Sequence, residues 1–126
     1  MARIEHFAIF AQDAPALKDF YVRTMGMTVA LESGGSPSGF FLADEDGVAL
    51  EIIGLPAGSA VANTRWVCHV AFLVDDVAAR RKELEGQGLV FETGTEVDTP
   101  TMKTAFFNDP EGNRCQIVWR SKPLVP

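Results

Sequence analysis

The chain of 126 residues contains two histidines, and they occur in matching contexts. His6 lies in Ile4-Glu5-His6-Phe7-Ala8-Ile9-Phe10 and His69 in Val67-Cys68-His69-Val70-Ala71-Phe72-Leu73, each followed by an aspartate and then a helix-like stretch. Each half closes on a glycine with a carboxylate or its amide four residues later, Gly47 with Glu51 and Gly112 with Gln116. The spacing between the histidines and that between Glu51 and Gln116 differ by only two residues, which is the mark of a duplicated module. Two imidazoles, one carboxylate and the carbonyl oxygen of Gln116 form a nitrogen and oxygen donor set suited to a divalent cation such as Fe(II), Zn, Ni, Mn or Co. A pair of histidines with one carboxylate serves iron oxygenases, and it serves Lewis-acid isomerases and lyases equally well. The alternative is a pocket of the same shape that binds a small molecule without metal, its histidines and Glu51 merely hydrogen-bonded.

Those side chains need elements to hold them. Residues 4–10 have the apolar character of a strand, Asp13 or its neighbour can cap a helix beginning near Pro15, and Leu17, Phe20, Tyr21 and Met25 recur at helical spacing before Gly26. Residues 27–32 read as a strand, 33–39 as a loop, and 40–43 and 48–53 as a hairpin across Asp44-Glu45-Asp46-Gly47. The second half repeats the order: a strand over 67–74, a helix capped by Asp75 or Asp76 and ending before Gly88, and a short strand over 89–92. A polar loop over 93–100 follows, then a last hairpin of 103–107 and 113–119. Each module is therefore strand, helix, strand, strand, strand.

Alternation along strands then sorts the side chains by face. His6 goes with Ala8 and Phe10, Glu51 with Ala49 and Ile53, His69 with Ala71 and Leu73, and Gln116 with Arg114 and Val118. The more aliphatic faces, with Leu50 and Ile52 or Cys115 and Ile117, should receive the helices. Glu51 among apolar neighbours must be paired, protonated or metal-bound. On the same open side we expect Phe40 and Leu42 in the first module and Lys103, Ala105 and Phe107 in the second, with Phe106 on the helix side. Lys103 and Arg114 would meet an anionic group, and the apolar residues would line a pocket for a small, partly apolar substrate.

A formal charge of −6 and 11 basic residues argue against a nucleic-acid surface. No apolar run is long enough to cross a membrane, and no signal peptide is visible, so the expectation is a soluble cytoplasmic protein. Cys68 and Cys115 sit in apolar strand patterns, as small buried hydrophobes rather than a disulfide.

The His6 and His69 strand openings, with Asn108-Asp109-Pro110-Glu111-Gly112-Asn113 before the final strand, closely resemble the vicinal oxygen chelate superfamily. That superfamily includes glyoxalase I, extradiol dioxygenases and bleomycin-resistance proteins. The resemblance spans about residues 3–120. It implies an α+β fold in which two βαβββ modules, related by a pseudo-twofold, form a U-shaped, partly closed barrel. The modules would be about 3–54 and 66–120 of a single glyoxalase-like domain, with a linker over 55–65. It also implies a homodimer, and metal ligands at His6, Glu51, His69 and Gln116. The implied activity is metal-dependent chemistry on a small molecule with vicinal oxygens: isomerisation, lyase chemistry or extradiol cleavage. The family's usual last ligand is glutamate and this chain has Gln116, so Glu51 would have to serve as ligand and catalytic base together.

Overall fold

The computed structural model describes residues 5–56, 58 and 69–124. Expectations for Ile4, Val67, Cys68 and most of the 55–65 linker lie outside these residues. The chain divides into two compact units, residues 1–62 and 63–126, and each has the βαβββ order that the repeat implies.

In the first unit, strand β1 (His6–Ala11) leads to helix α1 (Ala14–Met25), followed by β2 (Thr28–Ser33), β3 (Gly39–Ala43) and β4 (Ala49–Gly54). The sheet order is β1-β4-β3-β2, with β1 parallel to β4 and the remaining pairs antiparallel. Asp13 starts α1 by accepting the Ala16 N–H at 3.1 Å, Pro15 occupies the first turn where no N–H is needed, and Gly26 ends it in the left-handed conformation. One face of α1 is buried through Leu17, Phe20, Tyr21 and Thr24, and the helix packs on β3 and β4, whose buried residues include Leu42, Leu50 and Ile52. Thr24 is satisfied inside this layer by donating to the Phe20 carbonyl at 2.7 Å.

The second unit has β5 (Val70–Leu73), α2 (Val77–Gly86), β6 (Val97–Asp98), β7 (Met102–Asn108) and β8 (Arg114–Arg120), in the order β5-β8-β7-β6. Asp76 rather than Asp75 is the cap, taking the Ala79 N–H at 3.0 Å. Only Val77 and Leu84 of α2 are buried, against Phe91, Ala105, Phe107, Cys115 and Ile117. Cys115 is buried in this layer, its thiol donating to the Asn113 carbonyl at 3.7 Å.

One strand is displaced from its expected place. The run over 89–92 makes a single bridge, Phe91 to Phe107, while the strand proper is Val97–Asp98, inside the expected loop. The chain follows β7 from Phe91 to Asp98 but leaves it over 93–96, and β2 of the first unit has a smaller irregularity between Val29 and Leu31. Val90 projects into solvent, so the apolar character of 89–91 is not a buried strand's.

The hairpin turns repeat in atomic detail. Asp44 Oδ1 accepts the N–H groups of Asp46 and Val48, both at 2.9 Å, and Asp109 Oδ1 accepts those of Glu111 and Asn113 at 2.9 and 2.8 Å. Gly47 and Gly112 close these turns at φ 86° and 88°, a region that side chains with a Cβ rarely enter. These turns fix the register of β3 against β4 and of β7 against β8, and so decide what stands beside Glu51 and Gln116. Among the described residues, no helix is long and apolar enough to cross a membrane.

Candidate functional site

In the first unit the register sets His6 beside Ala49, Ala8 beside Glu51, and Phe41 opposite Glu51. All of these point away from α1, because the alternate residues Leu50 and Ile52 are the ones buried under it. His6 Nε2 lies 3.5 Å from Glu51 Oε1, and the imidazole packs edge-on against Phe41 with ring centroids 5.2 Å apart. Its other nitrogen, Nδ1, is 2.8 Å from Glu5 Oε1. The Glu51 side chain keeps 26% of its exposure, so the carboxylate is reachable from solvent.

This geometry has a chemical consequence. When Nδ1 carries the proton and donates to Glu5, the Nε2 lone pair faces a carboxylate oxygen, and two acceptors then oppose each other. Either a second proton on the ring or a cation between the two atoms removes the conflict. A histidine whose far nitrogen is held by a carboxylate is also the usual arrangement of a metal-ligating imidazole.

The second unit repeats the aromatic support without the acid. His69 precedes β5 and meets Phe106 edge-on at 5.5 Å, while Gln116 stands opposite Phe106 across β7 and β8. Arg114 lies on the same face, with its guanidinium 3.7 Å from the Phe106 ring centre. Glu92 takes two hydrogen bonds from Arg114, from Nε and Nη2, both 2.9 Å. Hydrogen bonding to Glu92 pushes the Arg114 pKa further up, against the opposing effect of burial. The Arg114 charge is thus neutralised within the unit.

Several pocket expectations are corrected by the register. Phe40 pairs with Ile52 and Leu42 with Leu50, so both lie on the helix face, where Lys18 of α1 sits 5.5 Å from the Phe40 ring. Ala105 and Phe107 pair with Ile117 and Cys115 and are likewise buried beneath α2. Phe107 packs on Phe91, which in turn lies under Arg81 of the helix. Lys103 has the same parity, opposite Trp119, and pairs with Asp98 at 3.5 Å. Phe106 is on the open face rather than the helix side. The physical reason is that directly paired residues of an antiparallel hairpin share a face. Counting back from Ala43 opposite Ala49 brings Phe41, not Phe40, to Glu51.

Sequence reasoning therefore missed Phe41, Phe106, Glu5 and Glu92. The first two were recoverable from hairpin pairing, and Glu5 from its adjacency to His6. The contact from Glu92 to Arg114 depends on the path of the chain beside β7 and left no local signal.

The His6 and Glu51 pair fits a cation, but it is only two ligands. Among the described residues, no group of three His, Cys, Asp or Glu side chains gathers at a spacing that would hold a metal ion.

Residues 3–117 match the Glyoxalase/Bleomycin resistance protein/Dioxygenase superfamily, and the chain belongs to it. The chain is 33% identical to the uncharacterized protein YaeR of Escherichia coli (strain K12) over 120 residues, covering 89% of this chain and 92% of that one. Among solved structures it resembles TnmS3, an antibiotic binding protein from Streptomyces sp. CB03234, with a TM-score of 0.76 at 22% identity over 96% of this chain and 98% of the other. It also resembles the fosfomycin resistance protein FosX from Listeria monocytogenes, crystallised with Mn(II) and sulfate, with a TM-score of 0.75 at 13% identity over 98% and 93% of the two chains. At these identities the two structures speak to the fold alone.

Proposed function

We propose that this protein is a metal-dependent enzyme of its superfamily, acting on a small molecule with two adjacent oxygens. The observation that carries the reading is the pair of His6 Nε2 and Glu51 Oε1, 3.5 Å apart, with the far side of the imidazole held by Glu5. His6, Glu51, His69 and Gln116 would hold the ion. A soluble, cytoplasmic homodimer belongs to the same reading.

A divalent ion bound there supplies Lewis acidity toward vicinal oxygens. The chain supplies the rest. Glu5 fixes the His6 ring so that Nε2 points at the site, and Phe41 and Phe106 pack edge-on beside the two imidazoles. Glu51 is the one carboxylate among the four ligands, so the proton next to a substrate carbonyl would pass to it. Gln116 accepts hydrogen bonds or a cation but takes no proton, which makes the two ends of the site chemically unequal. Isomerisation and lyase chemistry use Glu51 as a base; extradiol cleavage demands less of it and requires iron.

The test is elemental analysis of protein purified without chelator and again after loading with Fe(II), Zn, Ni, Mn and Co. Bound metal that falls sharply in His6→Ala, Glu51→Gln and His69→Ala supports the proposal. Protein that stays metal-free after every loading overturns it. The second reading, a metal-free small-molecule binder, is favoured by one observation: the second unit offers Gln116 where a second carboxylate would strengthen a metal site.

A further inference from the structure

Two arginines of β8 share the face of Gln116, and they differ in what occupies their charge. Arg114 is taken up by Glu92 and Phe106. Arg120, opposite Met102 at the far end of the strand, has only the Met102 thioether, 3.3 Å from Nη1, and sulfur is a weak acceptor. Lys122 follows closely, and neither Arg120 nor Lys122 has a carboxylate partner among the described residues. Lys103, the other cation expected to meet an anionic group, is paired with Asp98.

Both unneutralised cations line one groove of about 560 Å³, together with Thr99, Thr101, Met102 and Ser121. Its backbone is fixed rather than loose. Thr99 Oγ1 donates to the Met102 carbonyl and accepts the N–H groups of Met102 and Thr101, while the Ser121 N–H donates to the Thr101 carbonyl at 3.0 Å. The Thr99 hydroxyl is consumed by this turn. The Thr101 hydroxyl has only a long 3.3 Å contact to it, which a ligand can replace. Thr101 and Ser121 therefore add hydroxyl donors to the guanidinium and the ammonium.

We infer that this groove is an oxyanion site for a phosphoryl group. Two cations and two hydroxyls surround more acceptor oxygens than a carboxylate presents, and charge-assisted hydrogen bonds of this kind are the strong ones. The position adds a constraint. Arg120 is four residues beyond Gln116 on the same face, about 13 Å at about 3.3 Å per residue. Within its own unit the groove is thus separate from Gln116.

The experiment is an amide NMR titration of the full chain with inorganic phosphate, and in parallel with phenyl phosphate, at constant pH and with ionic strength held by sodium chloride. Saturable shifts at Thr101, Ser121 and Lys122 are expected, weakened at least about tenfold in Arg120→Gln and less in Lys122→Gln, with metal content unchanged. Tighter binding of the ester identifies an organic phosphate as the ligand; equal binding identifies the free anion. Shifts that fail to saturate, or that are unchanged in both variants, overturn the inference. Lys122 is exposed at the surface, so its variant keeps the test valid should Arg120→Gln fold poorly.

Discussion

The open faces of the two units carry the same histidine and phenylalanine pair but opposite surroundings. In the first, a carboxylate on either side addresses the imidazole of His6, Glu5 at one nitrogen and Glu51 at the other. In the second, Gln116 replaces the acid, and Arg114 occupies the place in β8 that Ala49 has in β4, with its charge cancelled by Glu92. The two open faces share their histidine and phenylalanine contact and differ in charge. Glu51 thus gives the open face of the first unit a carboxylate where the second unit has the neutral amide of Gln116.

The units should be alike where their helices pack. Leu50 and Ile117 are almost fully buried on the helix faces of β4 and β8. Leu50→Ala and Ile117→Ala are each expected to cost about 2–5 kcal/mol, as the loss of buried aliphatic groups does when the site collapses only in part. Chemical denaturation measures this. A loss below about 1 kcal/mol in one variant alone would show that only the other unit's layer supports the fold.

The units should differ where charge is concerned. Glu51→Gln gives the first unit the amide that the second has at Gln116, and if Glu51 is a ligand as proposed, metal affinity should fall about 100-fold or more. Gln116→Glu should raise the affinity. Equal affinities in wild type and both variants, measured by competition with a chromophoric chelator, would remove the asymmetry from the account. Glu5→Gln is milder: it leaves the ligands in place but weakens the orientation of His6, and about a tenfold loss is expected, the low end for such outer partners.

The parts legible in the sequence are those set by local chemistry. The helix starts, to within a residue of Asp13 and Asp76, the stop at Gly26, the turns at Gly47 and Gly112, and the faces of His6, Glu51 and Gln116 all follow from a few neighbouring residues. Phe40, Leu42, Ala105 and Phe107 went to the wrong face because alternation was followed along each strand without pairing it across the turn. A slip of one residue reverses every side chain. The strand at Val97–Asp98 was illegible for another reason. It is made by the edge of β7 receiving a partner, and two residues carry no periodicity of their own.

The turns give the smallest and sharpest contrast. Asp44 and Asp109 hold identical backbone bonds, yet Asp44 is exposed and Asp109 is 4% exposed, with Asn113 Nδ2 also donating to its Oδ2 at 2.8 Å. Removing Asp44 leaves N–H groups that water can reach, so Asp44→Ala should cost about 0.5–1.5 kcal/mol, the net worth of ordinary hydrogen bonds. Removing Asp109 strands donors that water reaches poorly, and Asp109→Ala should cost about 1–3 kcal/mol, the penalty of leaving buried groups unpaired. The two variants remove the same backbone bonds and differ in the burial of the turn and in the Asn113 contact, so the difference in their denaturation midpoints measures those two together. Equal midpoints would mean that the second turn opens to solvent once its aspartate is gone, and that its burial contributes little to holding β8, and with it Gln116, in register.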